Sequence, residues 1–236
     1  MEDPGKEQVP IKENLIRTVV LCSGGIDSTV GLYWAHRHHE VVAGISFNYG
    51  AKHGERELPF AVAHCRKLKI PHQTIELSFI RDLFSSALLL SGNEIPDGRY
   101  EAENMRQTVV PFRNGIMLAA AAGYAESVGA THLLIGAHAG DPSGDREIYP
   151  DCREDFMSAM NEAVKRGTYA QIEILRPLIA KTKAEIVALG AELGVDFSQT
   201  WSCYKGGEIH CGTCSTCIER REAFAIAEVS DPTLCE

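Results

Sequence analysis

Apolar residues along the chain switch repeatedly between two periods. TVVL (Thr18–Leu21) is an unbroken apolar run, the mark of a strand covered on both faces. Two glycines end it, and Ser28–His38 follows with helical spacing. VVAGISF (Val41–Phe47) reads as a second strand, Glu55–Leu68 as a helix and His72–Leu77 as a third strand. Further on, Asn114–Val128 is Ala-rich and helical, and His132–Ile135 is a short apolar run ending at glycine. Glu154–Val164 is helical and Gln171–Leu175 extended. Thr182 and Glu185 have capping-box spacing ahead of a helix over Ile186–Leu193. A last helix is expected near Ile218–Ala227. Strands separated by helices of this length build βαβ units. The predicted fold is therefore α/β: a doubly wound, mostly parallel, Rossmann-like sheet. Two polar stretches rich in Gly and Pro, Ser91–Val109 and Ala137–Cys152, read as long loops, which in compact domains are often functional.

Composition narrows the class. The chain has 236 residues, 44% hydrophobic and 23% charged, as in an ordinary globular protein. No apolar run approaches the roughly 20 residues of a membrane-spanning helix. Lys and Arg number 23 against 32 Asp and Glu, so the net charge is −9, which argues against broad nucleic-acid binding. Residues 1–16 are polar and of mixed charge, and are expected to form a flexible tail. With no apolar secretory core there, a cytoplasmic, membrane-free location is expected. The expected division is an α/β domain over 17–199 and a cysteine-bearing element over 200–236.

Chemistry concentrates in two places. Ser23-Gly24-Gly25-Ile26-Asp27-Ser28 sits between a buried strand and a helix. Adjacent glycines allow a sharp turn and close ligand approach, and the following helix start favours an anion. Ser23 and Ser28 can donate to phosphate oxygens. Asp27 would repel phosphate alone, so it bridges through magnesium or anchors the loop amides. The Lys of a Walker A loop is absent, which argues against a kinase or GTPase. The second place is Cys203-x7-Cys211-x2-Cys214-x2-Cys217, four thiols at metal-ligand spacing. Four sulfurs suit structural zinc, and also an iron–sulfur cluster. His210 is a rival ligand. The histidines His36, His38 and His39 read as a solvated helix end, and Cys22 as a buried strand-end residue.

The SGGIDS loop resembles that of the N-type ATP pyrophosphatases (the PP-loop, adenine nucleotide alpha hydrolase-like superfamily). YGAKHGERE (Tyr49–Glu57), VVPFRNGIML (Val109–Leu118), IYPDCREDF (Ile148–Phe156), RPLIAKTKAEIVALGAELG (Arg176–Gly194) and TWSCYKGG–CGTCSTC (Thr200–Cys217) extend the likeness. Together they are similar to the 7-cyano-7-deazaguanine synthase (QueC) family of queuosine biosynthesis, from Thr18 to about Ala227. The resemblance implies an ATP-dependent ligase that converts 7-carboxy-7-deazaguanine and ammonia to the nitrile, with ATP, Mg2+ and Zn2+ as cofactors and a homodimeric assembly. It implies that the small C-terminal element binds zinc, a choice supported by a chemistry that needs no electron transfer.

On the same resemblance, nucleotide is expected at Leu21, Cys22, Ser23, Gly24, Gly25, Ile26, Asp27, Ser28, Thr29, Val30 and Gly31. Ser46 and Asn48 are added at the adenine, and Lys183 at the departing phosphates, with Lys181 as alternative. Catalytic or substrate-contacting roles fall to Asp27, Arg113, Asn114, Tyr149 and Asp151. Each has a plainer reading: a surface charge for Arg113, a solvated helix start for Lys183, a helix N-cap for Asp151. Two features depart from the family: Phe112 precedes Arg113, and PSGDRE (142–147) lengthens the loop before IYPDC. A ligase that transfers the deazaguanine acid to another amine, such as a protein N-terminus, is the alternative. A catalytically inert zinc-bearing nucleotide binder and a tRNA-modifying pyrophosphatase are the weaker rivals.

Overall fold

Alternate side chains of β1 (Arg17–Leu21) enter two different cores. Val19 and Leu21 join the apolar cluster that holds Ala43, Ile45, Leu118, Ala121 and Leu133. Val20 and Cys22 face the opposite side, with Leu32, Ala35, Ala61, Cys65 and Leu134. This two-sided burial explains why the strand carries no polar alternation. The computed structural model describes residues 15–99, 105–138, 149–233 and 235. Most of the predicted tail and most of the Ala137–Cys152 loop, PSGDRE included, lie outside the described residues.

β2 (Glu40–Asn48), β3 (His72–Glu76), β4 (His132–Leu134) and β5 (Glu173–Leu175) complete a parallel sheet in the order β3-β2-β1-β4-β5. The strand order reverses between β1 and β4, so a crevice opens there at the strands' carboxyl ends. Helices cover both faces. α1 (Ile26–His38) and α2 (Gly54–Lys67) lie over Val20 and Cys22. α4 (Arg113–Ser127) and α5 (Glu154–Gly167) cover the other face through Leu118, Ala121, Met157 and Val164. The short α3 (Ser78–Leu83) escapes the sequence pattern, since six residues with one buried position, Ile80, carry no periodicity.

α6 (Lys183–Glu192) begins with the expected capping box: the Thr182 hydroxyl accepts from the Glu185 amide, and the Glu185 carboxylate accepts from the Thr182 amide at 2.7 Å. Such a cap contributes about 1 kcal/mol. α7 (Ser215–Ile226) packs Ala223 and Phe224 against Ile186 and Val187 of α6 and Val30 of α1. Arg220 on α7 is buried, and its guanidinium is met by Asp231, the Thr200 hydroxyl and the Phe197 carbonyl. Trp201, Cys203, Cys214 and Cys217 join the same apolar cluster as β1 and β2. One expectation is corrected: His39 is buried rather than solvated, its ring 5.4 Å from that of Trp34.

Gly24 adopts φ +96°, and a β-carbon there would stand 2.1 Å from the Glu57 carbonyl oxygen on α2. Backbone cannot yield as a side chain can. Gly24→Ala is expected to destabilise the protein by about 2 kcal/mol or more, whereas Gly123→Ala should stabilise it by about 0.5–1 kcal/mol. Gly123 lies in α4 with nothing within 4 Å of its added carbon. Urea denaturation of both variants measures the contrast.

Candidate nucleotide and acceptor site

The β1–α1 turn is braced by its own hydroxyls. Ser28 Oγ accepts from the Ser23 and Gly24 amides at 3.1 and 3.2 Å, and Ser23 Oγ accepts from the Gly25 amide at 3.2 Å. The two hydroxyls meet at 2.9 Å. Gly25 caps α1 with no side-chain acceptor, so no cap occupies the first-turn amides, the arrangement that suits an anion. A second segment straps the loop from behind, where the Trp201 amide donates to the Gly24 carbonyl at 3.0 Å.

Asp27 does not anchor the loop amides among its described contacts. Its carboxylate receives Lys183 Nζ at 2.7 and 2.8 Å and lies 3.5 Å from His138 Nε2. Glu219 approaches the same ammonium at 3.4 Å. Burial alone would raise the Asp27 pKa, but Lys183 and His138 bring it below the usual carboxylate range. Burial alone would likewise lower Lys183, and the two carboxylates overcome it, holding Lys183 well above the usual range. The plain reading of Lys183 as a solvated helix start is thereby set aside. His138 is held below the usual imidazole range, first by burial and then by Lys183.

These groups line a cavity of about 850 Å³ at the carboxyl ends of the strands. Of the residues named for the nucleotide, Leu21, Cys22, Ser23, Gly25, Ile26, Asp27, Ser28, Asn48 and Lys183 line it. Gly24, Thr29, Val30 and Gly31 do not: Gly24 is turned onto α2, and Thr29 and Val30 are buried in α1. Ser46 is also behind the wall. Its hydroxyl donates to the Cys22 carbonyl at 2.5 Å and pairs with His72 Nε2 at 2.8 Å. Lys181 does not reach the cavity.

On the cavity wall, Arg113 donates to the Tyr49 hydroxyl at 3.0 Å, and its guanidinium carbon lies 5.5 Å from the Tyr49 ring centre. Tyr49 and then burial act on it in opposite senses, and the net effect keeps Arg113 charged. Asn114, Tyr149 and Cys152 share this wall, with the Tyr149 hydroxyl 3.1 Å from that of Thr108. Burial and the neighbouring Asp151 push the Cys152 thiol up to about 11, so it stays protonated at neutral pH and is no thiolate nucleophile.

Asp151 corrects an expectation. It does not line the cavity; its carboxylate accepts from the Asn114 amide at 2.8 Å and so caps α4 from another element. The Asn114 side-chain amide donates back to the Asp151 carbonyl at 3.2 Å. Phe112 stays outside the wall too. It holds a left-handed φ of 53° at the start of α4, with its ring edge-on to Phe156 at 5.6 Å.

Cys203, Cys211, Cys214 and Cys217 bring their sulfurs within 4.8 Å of one another. Cys214 and Cys217 are 3.4 Å apart, and Cys211 and Cys217 are 3.9 Å apart. Four sulfurs about 2.3 Å from one zinc ion would stand about 3.8 Å apart, so the set fits such an ion. His210 is not a rival: its Nε2 accepts from the Ser202 amide at 3.0 Å and its ring packs on Trp201 at 4.2 Å. His138, Glu219, Tyr49, Trp201 and Tyr204 were not singled out from sequence, although each lies in or beside a quoted motif.

A parallel sheet in this order, with a Ser-Gly-Gly-Ile-Asp-Ser turn at the point of strand reversal, defines an α/β fold of the PP-loop, adenine nucleotide alpha hydrolase-like type. A U34-tRNA thiolase from Methanococcus maripaludis, solved with its [4Fe-4S] cluster, shares the fold at a TM-score of 0.51 and 16% identity, over 78% of this chain and 58% of that one. The family model described as "Queuosine biosynthesis protein QueC" matches residues 17–228, and the chain belongs to that family. It is 52% identical over 219 residues to the 7-cyano-7-deazaguanine synthase of Desulfotalea psychrophila, covering 93% of this chain and 98% of the relative. The synthase of Porphyromonas gingivalis is 50% identical over 216 residues, or 92% of this chain and 96% of the relative.

Asp151→Ala should cost about 1–2 kcal/mol in urea denaturation by freeing an α4 amide. Asp151→Asn, which keeps an acceptor oxygen, should cost less than half as much. Equal losses would show that the charge, not the hydrogen bond, is what α4 requires.

Proposed function

We propose that this chain makes 7-cyano-7-deazaguanine from 7-carboxy-7-deazaguanine, ammonia and two molecules of ATP. The observation that carries the reading is one cavity lined both by a phosphate-type loop and by the Arg113 guanidinium. Among the described residues only Tyr49 accepts a hydrogen bond from Arg113, which suits a guanidinium that receives a carboxylate.

A carboxylate is a poor electrophile because its charge is delocalised and it has no good leaving group. Its oxygen attacks the α-phosphate of ATP, the α–β bridging bond breaks, and an acyl-adenylate and pyrophosphate result. Arg113 orients the acid, while the loop and Lys183 meet the charge gathering on pyrophosphate. Ammonia then attacks the acyl carbon, AMP leaves with the acyl C–O electron pair, and a proton is lost to give the amide. The amide oxygen then attacks the α-phosphate of a second ATP, pyrophosphate leaves, and nitrogen gives up one proton to leave an adenylated imidate. AMP departs with the C–O electron pair, and loss of the remaining N–H proton forms the nitrile. Cys152 stays a thiol, and no protein nucleophile is required.

Asp27 is the carboxylate that would hold magnesium brought in with the nucleotide, and that ion would neutralise phosphate charge. Zinc is the metal proposed for the four cysteines. Sulfurs within 4.8 Å of one another enclose a single ion more readily than a cluster with its own sulfides. The same reading makes the enzyme a cytoplasmic homodimer, the dimer on the strength of the family resemblance, with no nucleic acid bound at a net charge of −9.

Mass spectrometry after incubation with ATP, magnesium, ammonium and the carboxy-deazaguanine should find the nitrile, with about two AMP per nitrile, one for each activation. An amide end product despite excess ATP and ammonium would remove the dehydration step. Failure with ammonium together with transfer to a peptide amine would favour the alternative ligase.

Elemental analysis should give about one zinc per chain, and chelation should lower the melting temperature. Stoichiometric iron–sulfur absorbance would overturn the zinc assignment.

A further inference from the structure

We infer that Glu219 is a positioning residue for Lys183, holding its ammonium at the phosphate loop and thereby tying the four-cysteine element to the nucleotide site. Only the kinetic part of the test rests on the function proposed above.

Glu219 lies two residues beyond Cys217, on the α7 turn that also brings Thr216 to the cavity wall. Four residues further on, Ala223 faces the same way and packs with Ile186 and Val187 of α6, the helix that starts at Lys183. The apolar contact between α6 and α7 thus fixes the distance between the helices, and Glu219 completes it with charge. Among the described residues its one ion pair is with Lys183, at 3.4 Å.

Asp27 alone would neutralise the ammonium, since it supplies two contacts at 2.7 and 2.8 Å. Glu219 is therefore surplus to neutrality. Its effect is geometric: a second carboxylate, from a different element, fixes Nζ between two points where a single partner would let it swing. Both carboxylates and the lysine are largely buried, with side-chain exposures of 24%, 29% and 15%, so solvent screening is weak. The Cys214 amide donates to Cys211 Sγ at 3.3 Å where α7 begins, so the sulfur ligands set the start of the helix that carries Glu219.

The test compares Glu219→Gln with Glu222→Gln, a control on the same helix whose exposed carboxylate pairs with Arg99. Lysine acetylation by an N-hydroxysuccinimide ester, followed by peptide mass spectrometry, reads Lys183 against Lys181 as internal reference. Glu219→Gln should speed Lys183 labelling at least threefold relative to Lys181, with metal content and melting temperature unchanged. Glu222→Gln should leave the ratio as it is. In turnover, Glu219→Gln should lower kcat about tenfold with KM for ATP moving less than threefold. The loss should vanish in a Lys183→Met background. An unchanged labelling ratio overturns the inference whether or not the protein turns over. An equal kcat loss in the Lys183→Met background overturns it as well. The labelling effect without any pyrophosphate release by the unaltered protein would count against the proposed function and leave the positioning role standing.

Discussion

The buried ammonium of Lys183 is the interaction on which the nucleotide site depends. It draws together Asp27 at the start of α1, its own residue at the start of α6 and Glu219 on α7. No two of these are close in sequence. A buried pair of this kind adds little net stability, but losing one partner strands a charge and typically costs about 3–5 kcal/mol. The site therefore has a low tolerance for partial assembly: α1 and α6 must both be docked before Asp27 has a partner, and α7 adds the second carboxylate. His138, at the end of β4, closes the group from the sheet side.

Around that centre the cavity is polarised. The amides and hydroxyls of the glycine turn gather where β1 meets α1, while Tyr49, Arg113, Tyr149 and Tyr204 gather where β2 ends and α4 begins. The wall is completed by Trp201, Ser202, Thr216, Glu219 and Arg220, all from the segment that also holds the cysteines. The four-cysteine element thus forms part of the cavity wall and shares the apolar core of the sheet.

Much of this was legible in the chain. Unbroken apolar runs gave away β1, β2 and β4 because both faces of the sheet are covered there. Thr182 and Glu185 announced α6 through a purely local pair of hydrogen bonds. The glycine loop and the cysteines were legible for the same reason, since each is a short motif with its chemistry in adjacent residues. What stayed hidden was tertiary. Asp151 looked like a cap for its own helix or a reader of the heterocycle, yet it caps α4, 37 residues away. The run Thr29–Gly31 follows the motif so closely that it looked like part of the site, but one helical turn carries it into the core. Glu219 and Lys183 meet only because α6 and α7 pack side by side, which no local spacing announces.

The contact between Trp201 and Gly24 has a bearing on how such a chain can vary in length. A single residue, Ser202, separates the amide that straps the loop from Cys203, the first of the four clustered cysteines. There is no slack in that tripeptide. One added residue would pull either the strap or the thiol out of place. The seven residues between Cys203 and Cys211 contain two glycines and form a loop that can absorb such a change. Insertions and deletions in related chains should therefore accumulate on the far side of Cys203 and leave the near side at fixed length, as if the strap and the cysteine were a single ruler.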